Sequence, residues 1–309
     1  MNKIKKAIIP VAGLGTRMLP ATKAIPKELL PIIDKPLIQY VVEEAIEAGI
    51  REIIFVTRSG KEAIENHFDA NYELEHRLES LGKRSILKSV KNLVPKGIKI
   101  SSIRQENALG LGHAILCAKH LINKEDFAVL LPDEILIQKN RVNDLSKMLE
   151  SYHKTSLGQI LVEKISKSEL KKYGVVDVDN QSLKSNSQLL IKRLVEKPTA
   201  RQAPSNLRVV GRYILLNEIL SFIGKTKADN NGEIQLTSSI DKYIRKNNDS
   251  VEAILTNSEI FDCGSRKGFI GANIALSLKD KELKKYIKEL LNRSPGGGIG
   301  RHKGLKIPR

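Results

Sequence analysis

A chain of 309 residues can bury a sizeable core as one extended α/β unit, so its length does not require a second fold. Hydrophobic content of 41% and charged content of 28% suit a soluble globule, no apolar run reaches a membrane span, and two cysteines exclude a disulfide framework or a four-thiolate zinc site. The net charge of +17 invites a nucleic-acid reading, but the lysines are scattered among glutamates, tryptophan is absent and aromatics make up 4%, so a solvated basic surface that attracts small anions is the better expectation. The N-terminal Met-Asn-Lys-Ile-Lys-Lys lacks the apolar region and cleavage site of a signal peptide. A cytoplasmic protein with free thiols at Cys117 and Cys263, and with neither nucleic acid nor membrane as partner, is expected.

Apolar strand-like runs alternate with helix-period segments: 7–11 then 37–48, 53–56 then 61–68, 98–103 then 113–121, 127–131 then 142–152, and then 159–163. That order predicts a largely parallel sheet covered on both faces. Residues 69–95 read as a helical insertion. After Gln159 the runs become shorter and β-rich, at 174–178, 189–196 and 209–215, with a polar stretch at 179–188. A helix over 232–245, a strand over 251–255 and helices over 265–278 and 280–291 complete the pattern. One domain is expected over 1–293, in two halves, 1–158 and 159–293. Residues 294–309 combine glycine and charge without apolar periodicity, which predicts a disordered basic tail.

The most informative segment runs from Pro10 to Pro31. Gly13 and Gly15 follow directly on an apolar strand, letting the backbone turn and bring N–H groups against anionic oxygens, while Arg17 supplies a planar fork and Lys27 a mobile charge. A dinucleotide fingerprint would need glycine where Met18 stands, and the Gly60-Lys61 pair is followed by Glu62, which rules against a P-loop. A lone G-x-G is more often a plain βα turn; two cations and three prolines in the same loop favour polyphosphate chemistry. Asp133 follows the run 127–131 and Pro132, at the C-terminal end of a buried strand, where α/β folds place ligands. It is the leading Mg²⁺ ligand. Glu134, next to it on extended backbone, should point the other way.

The order Gly13-x-Gly15-Thr16-Arg17-x-x-Pro20, followed by Pro26-Lys27-Glu28-Leu29-Leu30-Pro31, closely resembles the sugar-1-phosphate nucleotidylyltransferases, the bacterial uridylyltransferases among them. The resemblance continues through Gly110-Leu111-Gly112-His113, Tyr173-Gly174, Val195-Glu196-Lys197-Pro198, Val210-Gly211-Arg212-Tyr213, Glu233-Ile234-Gln235-Leu236-Thr237 and Asp262-Cys263-Gly264, over residues 3 to about 290. It implies a Rossmann-like α/β fold with a mixed, mainly parallel sheet flanked by helices, in which residues 1–158 form a nucleotide-binding half and residues 159–293 a β-rich sugar-binding half. The implied reaction is Mg²⁺-dependent, from UTP and α-D-glucose 1-phosphate to UDP-glucose and pyrophosphate, in a homodimer or homotetramer. A thymidylyltransferase and a silent nucleotide-sugar-binding subunit are the alternatives.

By the same resemblance Arg17, Lys27 and Lys197 are the catalytic cations, and Asp262 joins Asp133 at the metal. Ala12, Gly13, Gly15, Thr16, Gln105 and Gly110 would bind the nucleotide, with Gln105 offering the uracil both an acceptor and a donor. Gly174, Glu196 and Gly211 would bind the hexose, Glu28 would orient Lys27, and the six histidines show no metal or triad spacing. Blander readings stand beside these: Asp262 as a turn residue ahead of a helix capped by Ser265, Glu196-Lys197 as a surface pair, and Gly174 and Gly211 as strand-end turns. Gly232 and Ser238 depart from the family pattern and leave the capping of the following helix open.

Overall fold

Alternate side chains of the first apolar run find cover on opposite sides: Ala7 and Ile9 pack into one core and Ile8 into another. Two buried layers therefore enclose one sheet. The computed structural model describes residues 3–139, 143–178 and 189–292. The predicted disordered tail at 294–309 and the polar stretch at 179–188 lie outside them.

Strand β1 (Lys6–Pro10) leads into three 3-10 turns, Thr16–Met18, Ala21–Lys23 and Lys27–Leu29. Pro20, Pro26 and Pro31 recur too often for an α-helix, since each removes a backbone donor. A tight hairpin, β2 (Pro31–Ile32) and β3 (Lys35–Pro36), then delivers the chain to α1 (Leu37–Glu47). Next come β4 (Glu52–Thr57), α2 (Glu62–Phe68), α3 (Tyr72–Ser80), α4 (Arg84–Lys91) and β5 (Lys99–Arg104), so the 69–95 segment is helical as read. Then follow α5 (Gly110–Cys117), α6 (Lys119–Ile122), β6 (Phe127–Leu130), β7 (Glu134–Ile137) and α7 (Asp144–Thr155), the last capped by Asn143 at Ser146 N. The second half comprises β8 (Gly158–Lys164), β9 (Gly174–Val178), β10 (Ile191–Glu196), β11 (Leu207–Leu215), α8 (Ile219–Lys225) and α9 (Leu236–Lys246). It ends with β12 (Val251–Leu255), β13 (Glu259–Asp262), α10 (Arg266–Ser277) and α11 (Lys281–Asn292).

The central sheet is mixed, and mainly parallel through its N-terminal strands: β6, β1, β4 and β5 lie side by side in parallel. β11 joins antiparallel to β6, β8 and β9, and carries the second half onto the same sheet. Helices α1, α2 and α7 cover one face; α5, α8 and α9 cover the other. Phe55 and Phe127, both 0% exposed, show the scale of this cover, each burial contributing about 1.5–3 kcal/mol before entropy is counted. A smaller nucleus of Ile32, Leu37, Ile135, Ile137, Cys263 and Ala272 ties the hairpin, the β7–β13 pair and α10 together.

Three differences from the sequence reading bear on the site. The helix expected over 232–245 starts at Leu236, because Gly232 turns with φ of 79° and Ile234 is held by Leu109 and Gly112 in extended backbone. The helix expected over 113–121 starts at Gly110 and divides at Ala118. The β7–β13 pair, absent from the sequence reading, aligns Glu134 with Asp262 and so brings two distant acidic segments together. Among the described residues no helix is long and apolar enough to cross a membrane.

Candidate active site

The glycine loop leaves β1 at its C-terminal end and folds back on itself. Gly15 adopts φ of 69°, a left-handed conformation natural to glycine, and its carbonyl accepts from Thr22 Oγ1 at 2.8 Å. A Cβ on Gly15 would come 3.3 Å from Lys27 Cβ, so the loop closes around the lysine it must present. Lys27 lies in the 3-10 turn entered through Pro26. The next residue, Glu28, is fully buried and accepts from Lys61 Nζ at 2.6 Å, fastening that turn to the loop after β4.

Lys27 Nζ donates to Asp133 Oδ2 at 2.7 Å, and Arg17 Nη2 reaches the same oxygen at 3.4 Å. Arg17 Nη1 meets Asp262 Oδ2 at 3.3 Å. Two cations from the glycine loop thus bridge two carboxylates from the β6–β7 turn and the end of β13. Burial alone works against the Lys27 ammonium, but Asp133 and Glu28 outweigh it and hold its pKa above the usual lysine value. Burial likewise works against an ionised Asp133, yet Lys27 and Arg17 keep its carboxyl below the usual aspartate range. Both groups are therefore charged at neutral pH.

The turn reading of Asp262 is also satisfied, since its Oδ1 accepts from Gly264 N at 3.0 Å and Ser265 caps α10, while Oδ2 stays on the cation. Glu134 points away from the cations as the strand alternation requires. Its carboxylate, pushed up by burial against the opposing pull of Arg208, accepts from Arg208 Nη1 at 2.7 Å and from Gly211 N.

A cleft of about 480 Å³ opens beside these acids and brings together Arg17, Asp133, Asp262, Gly174, Glu196, Lys197 and Gly211. Glu196 Oε2 accepts from Thr237 Oγ1 at 2.8 Å and Oε1 lies 3.3 Å from Lys197 Nζ. Lys197 takes a left-handed φ of 43°, an unusual state for a residue before proline, and its N–H donates to Tyr173 O at 3.1 Å. Gly174 opens β9, but Gly211 lies inside β11, so the reading as a strand-end turn fails for Gly211. A Cβ on Gly174 would sit 2.9 Å from Thr237 Cγ2, and one on Gly211 would sit 2.6 Å from Leu131 Cβ, so protein packing by itself demands glycine at both.

Of the residues expected to bind the nucleotide, Ala12 is buried and Gly13 and Thr16 are exposed, and Gly13 and Lys27 line a separate hollow with Lys23 and Arg58. Gln105 corrects one expectation. Its amide nitrogen is engaged with the Gly110 carbonyl at 3.1 Å and with His113 Nδ1 at 3.0 Å, so it offers a ligand only its oxygen rather than a donor and an acceptor. Gly110 itself, at φ of 89°, abuts Glu233 and Ile234, which explains the glycine without any ligand.

The sequence reading missed several residues of the cleft wall, among them Lys172, Tyr173, Gln235, Thr237 and Gly264. All but Lys172 stand inside the strings that carried the family resemblance, but an uncharged tyrosine, glutamine or glycine announces no chemistry until its neighbours are known. Among the described residues no three His, Cys, Asp or Glu side chains converge on a metal position, so any ion here would rest on Asp133 and Asp262. Those two side chains are 17% and 19% exposed beside a cleft, which fits Mg²⁺, an ion that takes one or two protein carboxylates and completes its shell with phosphate oxygens and water.

Residues 6–278 match the model of the nucleotidyl transferase family. The UTP–glucose-1-phosphate uridylyltransferase of Haemophilus influenzae is 46% identical over 292 residues, covering 92% of this chain and 98% of that protein. A UTP-bound UGPase from Acinetobacter baumannii superimposes with a TM-score of 0.85 at 44% identity, covering 94% of this chain and 99% of that one. A UDP-glucose pyrophosphorylase complexed with UDP-glucose does so with a TM-score of 0.81 at 40% identity, covering 90% and 100%. Sequence, sheet order and the convergence of loop cations on paired acids agree: this chain belongs to the nucleotidyl transferase family, in the branch of the UTP–glucose-1-phosphate uridylyltransferases.

Proposed function

We propose that the chain transfers the uridylyl group of UTP to α-D-glucose 1-phosphate, forming UDP-glucose and releasing pyrophosphate. The observation that carries this reading is Asp133 Oδ2, shared by Lys27 and Arg17, with Asp262 on the other arm of the guanidinium and a hexose-sized cleft alongside. The attacking group is a phosphate monoester with a second pKa of about 6, already largely dianionic at neutral pH, so no general base is required. Its oxygen bonds to the α-phosphorus as the bond from that phosphorus to the pyrophosphate oxygen breaks. Alignment and charge neutralisation are what the protein must supply.

Arg17 and Lys27 exchange the Asp133 carboxylate for triphosphate oxygens, with Gly15 and Thr16 holding the loop that presents them. Ala12, Gly13 and Gly110 surround the base, and Gln105 Oε1 accepts from the imide N–H of uracil. Lys197 meets the sugar phosphate, and Glu196 accepts from hexose hydroxyls between Gly174 and Gly211. Asp133 and Asp262 would hold Mg²⁺, which when bound adds positive charge at the α-phosphate. The first half of the chain thus serves the nucleotide and the second the sugar. The reading extends to a cytoplasmic homodimer or homotetramer: free thiols at Cys117 and Cys263 suit a reducing compartment, and exposed Ile270, Ile274, Tyr286, Leu290 and Leu291 on α10 and α11 offer apolar surface for association.

The test is pyrophosphate release by the purified chain across a panel of nucleoside triphosphates and sugar 1-phosphates. UTP with glucose 1-phosphate should exceed every other pair. A preference for dTTP would make it a thymidylyltransferase, and nucleotide-sugar binding without release would make it a silent subunit.

A further inference from the structure

Arg212 is the largest fully buried side chain among the described residues, at 0% exposure, and it uses all five of its N–H donors. Two go to one carboxylate: Nε to Glu44 Oε1 at 2.9 Å and Nη2 to Glu44 Oε2 at 2.7 Å. The other three go to main-chain carbonyls, from Nη1 to Leu131 and Gly211 at 3.0 Å each and from Nη2 to Glu134 at 2.9 Å. Leu131 and Glu134 bracket Pro132 and Asp133, the turn between β6 and β7. The carbonyl of Asp133 itself accepts from Cys263 N at 2.7 Å. Every main-chain acceptor named here is met by a donor of a buried residue, Arg212 or Cys263, and the Asp133 carboxylate is left to Lys27 and Arg17.

Packing does not account for a guanidinium at this place, since an apolar side chain of similar volume fills such a space at no loss of stability in many proteins. A planar fork does, because it can grip carbonyls on both sides of one turn while its charge is met by Glu44. We propose that Arg212, fixed by Glu44, is a positioning residue that aims the Asp133 carboxylate at the metal and the phosphates. The proposal rests on the reading of Asp133 as a metal ligand.

Mn²⁺, a paramagnetic substitute for Mg²⁺, can be titrated in the presence of UTP and followed by water-proton relaxation, alongside melting curves and steady-state kinetics. The proteins compared are wild type, Arg212→Lys, Glu44→Gln and Asp133→Asn. Arg212→Lys keeps the charge but not the fork. It should remain folded, bind Mn²⁺ roughly tenfold to a hundredfold more weakly, as changes to groups that orient a metal ligand do, and lose kcat while KM for glucose 1-phosphate stays unchanged. Glu44→Gln, which keeps side-chain volume and one acceptor, should shift both quantities the same way by a smaller factor, and it carries the test if Arg212→Lys does not fold. Wild-type Mn²⁺ affinity and kcat in the folded variant, with Mn²⁺ binding lost in Asp133→Asn, overturns the positioning role. Mn²⁺ binding retained in Asp133→Asn overturns the metal reading and this proposal with it.

Discussion

Gly264 leaves the Arg17 guanidinium space that a larger residue would take. A Cβ there would run into Arg17 Nη2 and lie 2.9 Å from Asp133 Oδ2, so the guanidinium would have to shift from the place where it meets Asp133 and Asp262. Gly264→Ala should leave the melting temperature nearly unchanged. Turnover should fall about ten- to a hundredfold, the value of one charge-assisted contact of roughly 1.5–3 kcal/mol. Steady-state turnover beside a thermal melt checks this, and a near-wild-type rate would remove Gly264 from the site's geometry. Arg17, Lys27 and Asp133 were legible in the sequence because each is charged and stands where a loop or strand end presents it, whereas Asp262 entered through the family resemblance. Gly264 and Thr237 were not, because their importance lies in how near other groups come: the one leaves room for Arg17, and the other donates a hydrogen bond to Glu196.

At the scale of elements, the start of α7 is held by a buried acid. Asp144 Oδ2 accepts from Thr256 Oγ1 at 2.6 Å, and Oδ1 meets Lys147 Nζ at 3.1 Å, which joins α7 to the segment between β12 and β13. Burial alone would raise the Asp144 pKa, but hydrogen bonds from Thr256, Ser258, Lys147 and the Asn257 amide bring it below the usual aspartate value. Its folded pKa being depressed, the stabilisation is present above the unfolded value near pH 4 and disappears as pH falls through the folded one. Asp144→Asn should therefore cost about 1–3 kcal/mol at pH 7, and the gap in melting temperature from wild type should narrow below about pH 4. A gap independent of pH would show that the ionised form contributes nothing.

Elements with strong periodicity, such as β1, α1, β4 and β9, were legible to within a residue or two because each alternates between or faces the two cores. Those missed depend on partners far along the chain. The four residues of β7 become a strand by pairing with β13, and α9 begins at Leu236 rather than Gly232 because Ile234 is drawn onto Leu109 and Gly112.

Across the whole molecule, one sheet carries both the glycine loop, which follows β1, and the Glu196-Lys197 pair at the end of β10, and Arg17, Glu196 and Lys197 line the same cleft. The two lysines should accordingly fail differently. Lys197→Ala should weaken the use of glucose 1-phosphate far more than UTP binding measured by calorimetry, while Lys27→Ala should chiefly damage UTP handling and turnover. Loss of UTP binding in Lys197→Ala with unchanged affinity for glucose 1-phosphate would contradict the division of the cleft. The change from alternating βα units to a succession of strands after Gln159 was legible in the sequence. Their union in one sheet was not, since it depends on β11 pairing with both β6 and β8.

The central claim is that both phosphates occupy this cleft together and that the uridylyl group passes directly between them, with no protein nucleophile in between. Exchange of labelled pyrophosphate into UTP tests it most directly. The account predicts label in UTP only when glucose 1-phosphate is present, because pyrophosphate can then return on UDP-glucose. Label entering UTP in the absence of the sugar phosphate would require a uridylylated protein and would contradict the account.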